Sequence, residues 1–332
     1  MAGETCKIIA DTVTGVGTAT GVGTITAPGT VTGVDESKTS AVAPITVADE
    51  SGGTTGGISP AKEPILSESA WKTRYGKWKI FLYGSVGSTN DVAKTLFLNH
   101  QTGQWTAVIA NHQWAGRGRF NRKWFSPSGL NVCMTLIVKA VELRNLPLMN
   151  VALSLATVKA INKATNLATW PRWPNDLYCG EKKLGGILSE SISAANRITH
   201  VLMGIGINVN TRSEHFSPEL RLRATSLLEE TGLQWARWDI VRSILDEFAT
   251  CYTAIDNDKT TLLDQWSRAC RTIGRKIRIS THDGEVDAVA LGIDETGRLI
   301  VERSSGIRIT ISAGDLLDGS VLNCGISEGV NG

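Results

Sequence analysis

The hydrophobic pattern changes character twice along the chain. Residues 5–64 carry no period at all: "TVTGVGTATGVGTITAPGTVTG" cycles through Thr, Gly and Val, "ESGGTTGG" follows, and no aromatic residue precedes Trp71. Such a stretch cannot bury enough apolar surface to offset its chain entropy, so residues 1–70 are expected to be a low-complexity, disordered tail. Its "GVG" pieces lack the preceding strand and following helix of a dinucleotide-binding turn. Order is expected from about Trp71. "KIFLYG" (79–84) reads as a strand and "STNDVAKTLFLNH" (88–100) as a helix, with Ser88 or Thr89 at the N-cap and Asp91 in the first turn. "WTAVIANH" (105–112) and "NVCMTLIVK" (131–139) read as buried strands. "LPLMNVALSLATVKAINKATN" (146–166) reads as an amphipathic helix with Leu148, Val151, Ala152, Leu155 and Val158 on one face. "DLYCGEKKLGGILSESI" (176–192) reads as a hairpin turning at Cys179–Gly180–Glu181, "ITHVLMGIGINVN" (198–210) as another buried strand, and 226–269 as helices.

After "RTIGRK" the period becomes two: "KIRIS", "EVDAVALGI", "RLIVE" and "IRITI" are short strands, with turns at Asp294, Gly297 and Gly306. The expected class is α/β (α+β): a mixed β-sheet flanked by helices over 71–269, a small C-terminal β-barrel over 270–318, and a C-terminal tail over 319–332.

Composition narrows the function classes. The 332 residues include 34 Lys and Arg against 32 Asp and Glu, a formal charge of +2. A nucleic-acid binder that relied on broad excess charge would show more, so an anionic partner has to be met by a local cluster. The six cysteines contain no CxxC pair, which argues against zinc and against a disulfide framework and for a reducing compartment. No apolar run approaches the roughly eighteen residues of a membrane span. The N-terminus lacks the order of a secretory signal, and Glu4 and Asp11 with few arginines argue against a transit peptide, so a cytoplasmic location is expected.

Two segments carry candidate chemistry. "HQWAGRGRFNRKW" (112–124) lies between two buried strands. Gly116 and Gly118 deny it a helix and let backbone N–H groups approach a ligand, while Arg117, Arg119 and Arg122 offer planar forks for carboxylate or phosphate oxygens. It lacks the GK[ST] of a Walker loop. Read alone it fits equally a solvated turn, and less well an RNA-binding patch. "WPNDLYCGEKKLGG" (173–186) places Asn175 and Asp176 where a hairpin begins and Lys183 where it returns, followed by Gly185 and Gly186. A lysine and a carboxylate brought together this way can serve one reacting centre, although such a pair is also a common surface ion pair.

Together these segments resemble the biotin–protein ligases, or holocarboxylase synthetases. "STN" (88–90), "GRGRFNRKW" (116–124), "WPNDLYCGEKKLGGIL" (173–188), "GIGINVN" (204–210) and "ATSL" (224–227) stand in that family's order and spacing, and "LGIDETGRLIVE" (291–302) looks like its C-terminal domain. The resemblance covers about 78–318. It implies a catalytic domain of the class II aminoacyl-tRNA-synthetase and biotin-ligase type and an SH3-like barrel. It implies the joining of biotin and ATP into biotinyl-5′-adenylate, then transfer of biotin to a lysine of the biotin carrier domain of acetyl-CoA carboxylase or a related carboxylase. Mg²⁺, held mainly through phosphates, would share the charge.

By the same resemblance, Ser88, Thr89, Asn90, Gln113, Arg117, Gly118, Arg119, Lys183 and Gly186 would bind biotin, and Arg119, Arg122, Trp124, Asn175, Lys183 and Asn208 would bind ATP. Lys183, Arg119, Arg122 and Asp176 would carry the catalysis. Asp176 would orient or deprotonate the acceptor amine, whose neutral form costs roughly 4–5 kcal/mol near pH 7; capping the hairpin is its alternative. Loop 113–124 is expected to be mobile without ligand and to close over the hydrolysable intermediate. Residues 1–64 show no helical period and few cations, so no DNA-binding domain and no repressor activity is expected. A lipoate–protein ligase and a noncatalytic biotin- or RNA-binding module are the rivals. Some members of the family dimerise; no residue here decides whether this chain forms a homodimer.

Overall fold

The computed structural model describes residues 65–73, 76–140, 146–194 and 197–317. Within them, an edge strand β1 (Ile65–Thr73) runs antiparallel to β2 (Gly76–Val86), so regular structure begins earlier than Trp71 and the boundary expected at 70/71 falls inside a strand. The rest of the expected N-terminal tail, residues 1–64, and the tail 319–332 lie outside the described residues.

Helix α1 (Thr89–Leu98) crosses from β2 to its parallel neighbour β3 (Thr106–Gln113), and β4 (Val132–Lys139) returns antiparallel. After helix α2 (Leu146–Thr165) come β5 (Thr169–Arg172), β6 (Asp176–Cys179), β7 (Lys182–Ala194) and β8 (Arg197–Ile207). These strands form one mixed sheet in the order β1-β2-β3-β4-β8-β7-β6-β5. Strand β5 contains Pro171, which has no N–H for a ladder and is tolerated because β5 is an edge. Helices α3 (Pro218–Arg223), α4 (Leu227–Thr231), α5 (Arg237–Asn257) and α6 (Lys259–Ala269) follow.

The sheet's two faces are covered differently. On one, Val201, Met203, Ile205 and Ile207 of β8 join the main core with α2, α5 and α6. Helix α2 departs from the expected one-sided pattern: Met149, Leu153, Ala156 and Ala160 are as buried as Leu148 and Leu155. The reason is its position between the sheet and α5, whose own apolar face is Ile240, Val241, Ile244, Leu245, Phe248 and Tyr252. On the other face a smaller core of Phe81, Tyr83, Val108, Ile137 and Leu202 packs under Val92, Ala93 and Leu96 of α1.

The C-terminal part is a five-stranded antiparallel sheet: β9 (Lys276–Thr281), β10 (Gly284–Ile293), β11 (Leu299–Arg303), β12 (Arg308–Ile311) and β13 (Asp315–Leu316), ordered β12-β11-β10-β9-β13. Alternate residues Ile277, Ile279, Leu299 and Val301 are buried, as a period of two requires, and they join the main core. The turn at Gly297 (φ 84°) seats this sheet: a Cβ there would lie 2.8 Å from the backbone N of Leu148 at the start of α2, and the Trp173 indole N–H donates to the Gly297 carbonyl at 3.3 Å.

Candidate functional site

The α1-side face of β8 explains where a cavity can exist. Successive outward residues are Leu202, Gly204 and Gly206. Leu202 belongs to the small core, but a Cβ on Gly204 would overlap Asn90, and one on Gly206 would stand 2.6 Å from Trp124 Cζ2. Two missing side chains therefore leave room for α1 and the loop after β3 to arch over the sheet. The resulting cavity holds about 700 Å³, and every residue named from the sequence for the site lines it. A smaller cavity of about 260 Å³ shares Arg119, Trp173, Asn175 and Ile187 with it but carries neither Lys183 nor the Thr89–Asn90 pair.

A neutral polar cluster forms at the start of α1. Ser88 is the N-cap residue by backbone geometry, yet its side chain makes no cap hydrogen bond. The Thr89 N–H and hydroxyl both donate to Gln113 Oε1, at 2.8 and 3.0 Å. Asn90 is 3% exposed, its Oδ1 accepting from the Thr135 hydroxyl at 2.6 Å and its Nδ2 donating to the Leu188 carbonyl at 3.3 Å. These groups sit in a pre-bonded arrangement, with fixed amide orientations.

The basic loop is a small hairpin. The Trp124 N–H donates to the Gly116 carbonyl and the Gly118 N–H to the Arg122 carbonyl, with a bridge between Arg117 and Lys123. Its tip is a 3-10 turn over Arg119–Asn121, with Phe120 at φ 53° and Asn121 at φ 55°. The sequence reading had the glycines shaping this loop; the left-handed positions are instead Phe120 and Asn121. Gly116 is needed for closeness, a Cβ there lying 3.0 Å from the Trp124 carbonyl oxygen. Phe120 in that region costs roughly 1–3 kcal/mol and is kept by contacts around it, with Arg119 and Arg122 guanidiniums 5.0 and 5.7 Å from its ring.

None of the loop's three arginines stands uncompensated. Arg117 makes a two-point contact with Asp91 of α1, both bonds 2.6 Å, and lies 3.7 Å from Glu190 of β7. The hydrogen bond to Asp91 raises the Arg117 pKa above its ordinary value against the opposing effect of burial. Arg119 donates to Asp315 at 2.9 Å, to the Gly314 carbonyl and to Asn175, and Arg122 donates to Asp315 at 2.6 Å. Asp315 comes from β13 of the second sheet.

The 176–192 hairpin forms as expected, its turn placing Gly180 at φ 54°. It brings Lys183 Nζ to 2.6 Å from Asp176 Oδ1. Both side chains are about a third exposed, 35% and 26%, so the pair contributes at most about 1 kcal/mol and Lys183 is free to turn to a stronger anion. Gly186 faces the pair: its absent Cβ would lie 3.4 Å from Asp176 Oδ1 and from Lys183 Cε. Asn175, after the cis Trp173–Pro174 bond, ties its amide to the Ile187 carbonyl at 2.5 Å while accepting from Arg119. Asn208 lines the cavity but is 4% exposed, and its amide is engaged by Asn131 and the Thr225 carbonyl.

Sequence reasoning missed Thr135, Glu190 and Asp315 and gave Asp91 only a dipole role. Asp91 follows the "STN" segment directly, a signal that was present. Thr135 and Glu190 sit in strands where a lone polar residue reads as surface, and nothing local marks Asp315, 196 positions from Arg119.

Known proteins that this chain resembles place it among the protein ligases. Residues 83–208 match the Biotin/lipoate A/B protein ligase family and residues 272–316 the Biotin protein ligase C terminal domain. The bifunctional ligase/repressor BirA of Bacillus spizizenii is 35% identical over 69% of this chain and 70% of that protein. The biotin--[acetyl-CoA-carboxylase] ligase of Mycobacterium tuberculosis is 29% identical over 78% of this chain and 96% of that one. The biotin protein ligase from Aquifex aeolicus, solved in complex with biotin and ATP, superimposes with a TM-score of 0.63 at 26% identity, covering 72% of this chain and 97% of that chain. The chain belongs to the biotin protein ligase family. No helix among the described residues is long and apolar enough to cross a membrane.

Proposed function

We propose that this chain condenses biotin with ATP to biotinyl-5′-AMP and pyrophosphate, and then transfers biotin to the acceptor lysine of a carboxylase biotin carrier domain. One observation carries the reading: a single cavity holds a pre-bonded neutral cluster (Thr89, Asn90, Gln113) together with Arg119, Arg122 and the Lys183–Asp176 pair. A ureido ring needs the first, and a carboxylate approaching a triphosphate needs the second.

In the first step a biotin carboxylate oxygen attacks the α-phosphorus, and the bond from that phosphorus to the bridging oxygen breaks as pyrophosphate leaves. Lys183 leaves Asp176 to meet the charge building between carboxylate and α-phosphate, and Arg119 and Arg122 hold the phosphates. Arg117, committed to Asp91, fixes the loop to α1. A Mg²⁺ brought by the nucleotide would neutralise part of the phosphate charge that Arg119, Arg122 and Lys183 face. In the second step the acceptor amine attacks the acyl carbon, AMP departs with the carbon–oxygen bond electrons, and the amine loses a proton toward Asp176. Trp124 packs over the adenylate. The ligase reading is extended without the repressor role of the Bacillus relative, because residues 1–64 carry no helical period; they lie outside the described residues.

Biotin-dependent exchange of labelled pyrophosphate into ATP tests this directly, together with biotin transfer to a carrier domain. Wild type should exchange with biotin and not with lipoate, and Lys183→Ala should lose at least about 100-fold in rate while keeping its melting temperature. Lipoate-dependent exchange would move the assignment to a lipoate ligase, and absence of exchange with either acid would leave a binding module.

A further inference from the structure

We infer that Asp315 is a positioning residue for nucleotide binding, acting through Arg119 and Arg122. The inference rests on the ligase reading above and concerns a residue outside both sequence motifs.

The geometry is a carboxylate strut between two guanidiniums. Asp315 Oδ1 accepts from Arg119 Nη1 at 2.9 Å, and Oδ2 accepts from Arg122 Nη2 at 2.6 Å. The Asp315 side chain is 17% exposed and lines the same cavity as both arginines. It occupies one edge of each fork. Every hydrogen bond that the Arg119 guanidinium donates among the described residues uses Nη1, and the one from the Arg122 guanidinium uses Nη2. Nε and Nη2 of Arg119 and Nε and Nη1 of Arg122 therefore keep donors for a second anion. A plain competitor for the phosphate site would be expected to cover those donors as well; this carboxylate leaves them open.

Asp315 is itself held from both sheets. Strand β13 pairs with β9, Asp315 opposite Ser280, and the Leu317 N–H donates to the Arg278 carbonyl at 3.0 Å. Gly314 permits the approach, since a Cβ there would lie 2.8 Å from Ile279 Cγ2 and from the Ser280 carbonyl oxygen. From the large sheet, Arg172 Nη2 donates to the Leu316 carbonyl at 3.3 Å. A fixed carboxylate thus anchors a loop tip whose backbone is otherwise unfavourable at Phe120, and it separates two like charges that would repel if left adjacent. Orienting the forks beforehand spares the nucleotide that ordering cost.

The experiment measures pyrophosphate exchange and biotin titration on wild type, Asp315→Asn and Asp315→Glu. Asp315→Asn keeps the shape but replaces one acceptor with a donor facing a guanidinium. Its KM for ATP should rise about tenfold, equivalent to about 1.4 kcal/mol, with kcat changed less than about threefold and biotin affinity unchanged. Asp315→Glu, which restores the charge, should recover most of that rise. In an Arg119→Gln/Arg122→Gln background, adding Asp315→Asn should change ATP affinity, read by calorimetric titration, no further. An unchanged or lowered KM for ATP in Asp315→Asn would overturn the inference, as would a parallel loss of biotin affinity and melting temperature, or full additivity in the triple variant. Absence of exchange in wild type would instead remove the ligase reading itself.

Discussion

Gly204→Ala offers a sharp test of how the pocket floor is built. A Cβ at this position overlaps Asn90 Oδ1 and lies 3.1 Å from its Cγ and 3.2 Å from its Nδ2. Strand β8 cannot retreat, because Gly204 is paired with Thr135 of β4 on one side and Leu188 of β7 on the other. Asn90 has to move by roughly 1 Å to regain ordinary contact distances of about 3.5 Å. It is 3% exposed and held by Thr135 and the Leu188 carbonyl, so the movement breaks both bonds in a buried place. Each buried group left unpaired costs about 1–3 kcal/mol, and overpacking adds about 1–3 kcal/mol. Allowing for relaxation, a loss of about 3 kcal/mol is expected, or roughly 6–12 °C in melting temperature for a domain of this size. Biotin affinity should fall with it, because Asn90 belongs to the neutral cluster. Gly206→Ala is the matched comparison: its Cβ would meet Trp124, which is half-buried on a loop and can swing aside. That variant should keep biotin affinity and stability and weaken the nucleotide side. Thermal denaturation and calorimetric titration with biotin read both. A Gly204→Ala protein melting within about 2 °C of wild type, with unaltered biotin affinity, would refute the account of the floor.

Two further outcomes follow from the site and the core. Asp176→Asn retains an acceptor for Lys183 but no base, so transfer from preformed biotinyl-adenylate to a carrier domain should fall at least about tenfold more than pyrophosphate exchange does; equal losses in the two assays would make Asp176 a structural cap. Burial pushes the Cys179 and Cys251 thiols up to about 11 from an ordinary 9.0. A raised thiol pKa means stabilisation that is present below about pH 9 and is lost as pH climbs through about 11. At pH 8 only about 0.1% of each is thiolate, so residue-resolved alkylation of the native protein should leave both unmodified until the pH approaches 11.

The parts of the fold legible in the sequence were those whose apolar pattern is set by one neighbour. β3, β4 and β8 are near-continuous apolar runs because both faces of the sheet are covered, and the four longer strands of the C-terminal sheet alternate because only one face is. Strand β1 follows low-complexity sequence and "ILSESAWKT" has no strict alternation, and β5 is four residues long and contains Pro171; both are edge strands, where those features are tolerated. Helix α2 read as one-sided because a period reports one covered face, whereas its second cover, α5, is far along the chain. The site was legible where its residues travel in local motifs. The acids that balance the loop's arginines come from α1, β7 and β13, and only the folded chain brings them together. A cluster that reads as concentrated positive charge is, once folded, a set of ion pairs from which a substrate must win its share.

The C-terminal sheet shares one continuous hydrophobic interior with the helices, and the Trp173 indole N–H and Arg172 Nη2 donate to its carbonyls. It is accordingly a wall of the enzyme and not an appendage. A chain cut short after α6 would expose the start of α2 at Leu148 and a flank of α6 to water and strand two buried donors, giving a sticky remnant with its reaction chamber open along one side.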